Sequence, residues 1–194
     1  MRKQAWAFLL VGFIAGFAIL YYWTKQRAPE IVRAMPQPAS QTASVPEPAA
    51  PPLDTARVAQ LETEIKNNPK SFEALIELGN IYFDQKNFER TIELYTKGLE
   101  LRPNEVDIRT DLGTAMFYIK RFDDAIAQFK KSLELDPRNA QTLFNLGVVM
   151  LHGKGDAPAA LQYWEKLVET NPNYTQIDFV KEQIRLLKEQ QKKP

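Results

Sequence analysis

Apolar residues along this chain fall into three patterns. Residues 4–24 are almost continuously apolar and carry no formal charge. Residues 28–53 show no period at all, with Pro, Ala, Ser, Gln and Thr predominating. From residue 54 onward, apolar positions recur at steps of three and four, as an amphipathic helix requires. Val58, Leu61 and Ile65 begin the series, and Leu75, Leu78 and Tyr82 continue it. Ile92, Tyr95, Leu99 and Leu101 form the next stripe, and Ile177, Val180, Ile184 and Leu187 form the last. The folded part is therefore expected to be all-α.

A longer period overlies the helical one. Leu78-Gly79, Leu112-Gly113 and Leu146-Gly147 recur every 34 residues. Three units follow, at 72–105, 106–139 and 140–174, the third longer by one residue. Each unit reads as two helices. Pro69, Pro103, Pro137 and Pro172 follow the second helices and stop them, since proline cannot continue a helix. A glycine inside a helix costs about 1 kcal/mol relative to alanine, so its recurrence points to close helix approach. Tyr95, Phe129 and Trp164 supply rings to fill the space beside it. Thr91, Ala125 and Ala160 keep a second position small. Gly98 and Ser132 keep a third small, and Leu167 breaks that pattern. The extra residue, near Gly153-x-Gly155, is expected to lengthen a turn between helices. Residues 54–68 read as an orphan second helix capping the first unit. Residues 175–190 read as a terminal helix over the last, with Thr175 and Asp178 as a capping-box-like start.

These repeating positions carry a family likeness. A 34-residue helix–turn–helix unit with Leu-Gly, a Tyr-like position, small residues, a ring and a closing Pro resembles the tetratricopeptide repeat. The likeness covers residues 72–174. It departs at Arg109, where Leu75 and Leu143 are apolar, and at Met116 and Met150, where Tyr82 is aromatic. The resemblance implies a right-handed helical solenoid of three repeats with flanking helices. It also implies a concave groove lined by the first helix of each unit. By that analogy Ile76, Asn80, Phe83, Thr110, Thr114, Phe117, Tyr118, Phe144, Val148 and Leu151 form a peptide-binding strip. Asp84, His152, Glu73, Asp107 and Gln141 occupy further groove-facing positions. Some family members clamp chaperone C-termini with Lys, Asn and Arg. Only Asn80 fits that set here, and Ile76 stands where a clamp lysine would be needed. An aromatic and aliphatic strip suits a peptide or an amphipathic helix. About half of these side chains are expected to pack between helices or beneath the final helix, as apolar residues at helical spacing usually do.

The uncharged run at 4–24 would span ~30 Å as a helix, enough to cross a bilayer. Trp6 lies near one end and Tyr21, Tyr22 and Trp23 at the other, where rings favour the headgroup region. The run ends in Tyr-Tyr-Trp-Thr-Lys, a poor cleavage site, so it reads as an uncleaved anchor over 1–27. Flanking positive charges nearly balance, and a short amino-terminal tail before an early apolar segment favours N-in, C-out. Gly12 and Gly16 form a Gly-x-x-x-Gly pattern through which two such helices could dimerise. The alternative is that small residues are simply common in such helices. Residues 28–53, holding seven of the 13 prolines, read as a disordered spacer reaching at most ~80 Å in polyproline form.

Composition narrows the chemistry. Lys and Arg number 25 against 24 Asp and Glu, so no basic excess points to nucleic acid. There is no cysteine and one histidine, His152, which leaves no thiolate site, no His cluster and no nucleophile–base set. No catalytic residue, metal or cofactor is expected. Asp123, Asp124, Lys130 and Lys131 read as solvated faces. The expected function is a membrane-tethered adaptor that holds a protein or peptide segment. A self-associating scaffold at the membrane is the alternative. The third unit, residues 159–168 and the final helix also resemble the repeat domain of bacterial cytochrome c maturation proteins. That resemblance implies an inner-membrane anchor, a periplasmic repeat domain and apocytochrome C-terminal segments as partners.

Overall fold

A computed structural model describes residues 53–191, which fall within one compact unit. The expected anchor, its Gly12–Gly16 face and the expected spacer up to residue 52 lie outside the described residues. Among the described residues no helix is long and apolar enough to cross a membrane.

Among the described residues eight α-helices follow one another: α1 Thr55–Asn67, α2 Phe72–Asp84, α3 Phe88–Leu101, α4 Val106–Tyr118, α5 Phe122–Leu135, α6 Ala140–Val148, α7 Ala157–Thr170 and α8 Ile177–Gln191. No strand occurs among the described residues. Five of these starts have a local cause in a side-chain cap. The side chains of Asp54, Ser71, Asn87, Asn139 and Asp156 accept hydrogen bonds from the backbone N–H three residues on. Such caps are each worth about 1 kcal/mol. The stops are uniform too. Asn68, Arg102, Asp136 and Asn171 each precede a proline and leave the helical region, with φ between −136° and −132° and ψ from 62° to 94°. The proline ring clashes with a helical residue before it, so the chain must extend there.

Helix packs on helix in chain order, and α4 also touches α6. One core cluster joins Leu61, Ala74, Leu75, Leu78 and Leu94. A second runs from Tyr95 and Leu99 through Leu112, Ile126 and Phe129 to Leu146 and Val149. At the far end Trp164, Leu167, Val180 and Leu187 are buried. The repeating glycines show why they recur. A Cβ on Gly79 would lie 2.6 Å from the Tyr95 ring, and on Gly113 2.6 Å from Phe129. On Gly147 it would lie 2.0 Å from Trp164 Nε1. That nitrogen donates to the Phe144 carbonyl at 3.1 Å, which fixes the indole over the helix.

Two expectations are corrected. The extra residue of the third unit does not lengthen the turn. α6 passes at Val149–Gly153 into a π-helical segment, with the Lys154 N–H bonded to the Val149 carbonyl at 3.0 Å. The turn itself keeps its form. Lys86 and Lys120 adopt left-handed φ of 59° and 63°, and Gly155 repeats this at 67°. The residue after each of the three is the cap of the next helix. The inserted residue is thus absorbed inside the helix. The second correction concerns the last helix. It begins at Ile177, after a turn in which the Ile177 N–H bonds the Tyr174 carbonyl at 2.9 Å. Thr175 lies in that turn and no capping box forms around it.

Candidate functional site

The first helices α2, α4 and α6 meet along one side. Phe83 on α2 lies edge-on to Tyr118 on α4, with ring centroids 6.4 Å apart. On the next step, Asn145 on α6 donates to the Thr114 hydroxyl on α4 at 2.9 Å. Gln141 in turn donates to Asn145 Oδ1 at 3.0 Å.

The strip predicted from sequence divides into two sets along this side. Ile76, Thr110 and Phe144 hold one repeat position, and all three are used for packing. Ile76 sits over Gly98, whose Cβ would come within 2.5 Å of Ile76 Cδ1. Thr110 is 2% exposed and forms a triangle of hydroxyls with Ser132, at 2.8 Å, and Thr142, at 2.7 Å. Thr110 is therefore removed from any peptide-binding surface. Phe144 packs on Tyr174 and Phe179, with centroids 5.9 and 6.4 Å away, in the shelter of α8 and the turn before it. These choices follow the small-residue position on the second helices. Gly98 admits an isoleucine and Ser132 pairs with a threonine. The buried Leu167 takes that position in the third unit, where Phe144 packs on α8.

The second set remains at the surface. Tyr118 is 43% exposed. Phe83, Phe117, Val148 and Leu151 are half-buried, as is Thr114, and Asn80 is exposed. Leu151 lies in the π segment, whose inserted residue breaks its correspondence with Phe83 and Phe117. Counted back from the helix caps, His152 takes the place of those two rings and Gly153 the place of Tyr118. Gly153 then lies under Phe122, just as Tyr118 lies under Phe88: an added Cβ would be 2.8 Å from the Phe122 ring. Phe88 and Tyr118 stack at 4.6 Å, and Phe117 contacts Phe122 at 5.7 Å. Phe88 and Phe122 are aromatic members of this site that sequence reasoning missed. Their signal was present: both follow a turn by one residue and recur at a spacing of 34.

Beside the rings lies a polar patch. The Tyr95 hydroxyl donates to Asn80 Oδ1 at 2.6 Å, so that amide oxygen is already engaged. Burial, together with the charges of Asp111 and Asp84, pushes the Tyr95 phenol pKa well up and keeps it a neutral donor. Asp111 itself is pushed up to about 6 by burial and by Asp107 one turn earlier. Two acidic residues of α2 are paired with cations. Glu77 pairs with Arg57 at 2.5 Å, which lowers its pKa, and Glu73 pairs with Arg102 at 2.5 Å. The one cation on α4, Arg109, turns away, donating to Gln128 at 3.1 Å and to the Pro103 carbonyl. Its Nε is buried without a hydrogen-bond partner. Asp111 was not in the sequence-derived strip, because its importance depends on burial and on neighbours from α3. Among the described residues no three His, Cys, Asp or Glu side chains gather as a metal site would require. Burial lowers the pKa of His152, favouring its neutral form.

Comparison with known proteins agrees with this architecture. Models of the tetratricopeptide repeat match residues 72–105 and 141–174, and a TPR repeat model matches 116–153. No curated protein sequence matches the chain. Among solved structures, a crystal structure of MamA superposes with a TM-score of 0.59 at 21% identity, covering 69% of this chain and 86% of MamA. The first TPR of Spaghetti (RPAP3), bound to the HSP90 peptide SRMEEVD, gives 0.57 at 22% identity over 63% of this chain and 94% of that one. A further MamA structure gives 0.55 at 26% identity, covering 59% of this chain and 66% of its own. Residues 72–174 thus form a tetratricopeptide-repeat solenoid, a fold for protein–protein interaction.

Proposed function

Starting from a domain built of tetratricopeptide repeats, we propose that this protein is an adaptor holding a peptide segment of a partner along the α2–α4–α6 side. The observation that carries this reading is the ring cluster of Phe83, Phe88, Phe117 and Tyr118, which stays partly open where the first helices meet. Rings of this kind bury large apolar area with little loss of side-chain freedom, which suits a peptide seat. Other strongly exposed large apolar side chains among the described residues are Leu53 and Leu135, set apart in sequence. That favours one docking strip over broad self-association. RPAP3 holds an acidic peptide, SRMEEVD. This chain has Ile76 on Gly98 and Asn80 on Tyr95 where a clamp for such a tail would need free cationic and amide groups.

The uncharged run at 4–24 supports tethering of the adaptor at a membrane, with the repeats on the far side of a proline-rich spacer. A tether raises the concentration of nearby partners, so modest affinity suffices. The likeness of the third unit and final helix to cytochrome c maturation proteins supports a bacterial inner-membrane setting with the repeats in the periplasm. On that reading the partner is an apocytochrome C-terminal segment. Photocrosslinking from Phe83 in the full chain, in membranes, tests the adaptor reading. A captured protein lost with Phe117→Ala plus Tyr118→Ala supports it. Capture that survives both changes overturns it.

A further inference from the structure

We propose that the partner segment of this adaptor carries a lysine or arginine that seats against Asp111, with its apolar side chains on Phe83, Phe117 and Tyr118. The inference rests on the peptide-binding reading above and specifies the partner's chemistry.

The argument is one of charge complementarity beside an apolar strip. Asp111 is half-buried on α4, and Asp107 lies one turn before it, on the same face. The Tyr95 hydroxyl on α3 feels the charge of Asp111 and, more weakly, that of Asp84 on α2. All of these are acidic or neutral. The remaining cation of α4, Arg109, is committed to Gln128 and Pro103 on another side. Two like charges one helical turn apart repel, and partial burial removes the water that would screen them. Burial first, then Asp107, holds the Asp111 carboxyl up to about 6. A cation placed there relieves both penalties. An arginine could bond the carboxylate through two N–H groups at once. A metal ion is a poorer fit, since no third ligand joins the carboxylates among the described residues. An acidic segment would add to the repulsion, and a wholly apolar one would bury Asp111 with no partner.

The test uses the full chain in neutral detergent, flowed over three peptides fixed to a sensor. The peptides share one Leu/Ala helical pattern and differ at two positions, which are Lys, Gln or Glu. The lysine peptide is expected to bind about tenfold more tightly than the glutamine one, with the glutamate one weakest. Asp111→Asn is expected to abolish the lysine preference, bringing the lysine and glutamine peptides to the same affinity. Asp123→Asn plus Asp124→Asn removes more charge from the exposed start of α5 and is expected to leave the preference intact. Equal binding of all three peptides, lost in Phe117→Ala plus Tyr118→Ala, would overturn the charge inference and leave the adaptor reading standing. A lysine preference indifferent to the groove variants would overturn both. Failure of the lysine peptide to bind would also overturn the inference.

Discussion

The first two units and the third are built from the same repeat, yet they treat their apolar residues differently. In the first two, Phe83, Phe117 and Tyr118 end the first helices and stay partly open beside Phe88 and Phe122. In the third, a π segment shifts the register, Gly153 takes the place of Tyr118, and α8 shelters Phe144. The π segment leaves the loop unchanged and alters which side chains reach the surface. One inserted residue and one following helix thus separate an open aromatic strip from a packed end. A repeat position is a place in a lattice of helices. Its role is set by what the next helix brings to it.

Substitutions can break this contrast in order of size. The largest effect is expected at the repeated glycine. Gly147→Ala meets the Trp164 indole, which is fully buried and held by its bond to Phe144. Overpacking of this kind should cost about 3 kcal/mol net of the helix-propensity gain, measured by urea denaturation. Gly113→Ala meets the Phe129 ring less closely, at 2.6 Å against 2.0 Å, and should cost about half as much. Equal losses at the two sites would show that the third unit is packed no more tightly than the second.

Phe144→Ala comes next. It leaves a gap under Tyr174 and Phe179 and is expected to cost about 2–3 kcal/mol, with faster hydrogen exchange across α8. Tyr118→Ala should cost well under half of that and act on partner capture instead. If the two variants lose similar stability, the division between packed and open rings is wrong.

A smaller effect concerns Asp111. Its folded-state pKa of about 6 lies above the ordinary 3.8, so between those values the native state binds more protons than the unfolded one. Stability from this group therefore rises as pH falls from 7 towards 4. Asp111→Asn should stabilise the protein at pH 7 by about 1–2 kcal/mol and flatten that part of the pH profile. A variant with the wild-type profile from pH 4 to 7 would assign the dependence elsewhere.

The smallest effect is expected from deleting Leu151. The deletion restores a 34-residue third unit and converts the π segment to α-helix. Because the loop around Gly155 already has the form of the others, stability should change by no more than about 1 kcal/mol. Loss of cooperative unfolding would mean that the π segment is needed to pack α7.

Much of the fold was legible because its causes are local. Caps at Asp54, Ser71, Asn87, Asn139 and Asp156, prolines after four helices, and a glycine opposite a ring every 34 residues each act over a few residues or between chain neighbours. The aromatic strip was legible in part. Tyr118 and Phe117 could be placed from the repeat. Thr110 could not be excluded, because its burial depends on hydroxyls from α5 and α6. Phe144 looked like Ile76 and Thr110 until α8 was seen beside it. The place of the extra residue was also hidden. A turn and a π segment accept one more residue with the same sequence length.

The sequence by itself determined that the folded part is helical, where each helix stops, and that the units repeat. Those properties follow from backbone propensity, proline geometry and hydrophobic period, which any short window of the chain carries. Only the tertiary structure decided which apolar residues remain open and which carboxylate is partly buried beside another. Burial and electrostatic environment are sums over neighbours from several helices, and no single stretch of sequence contains them.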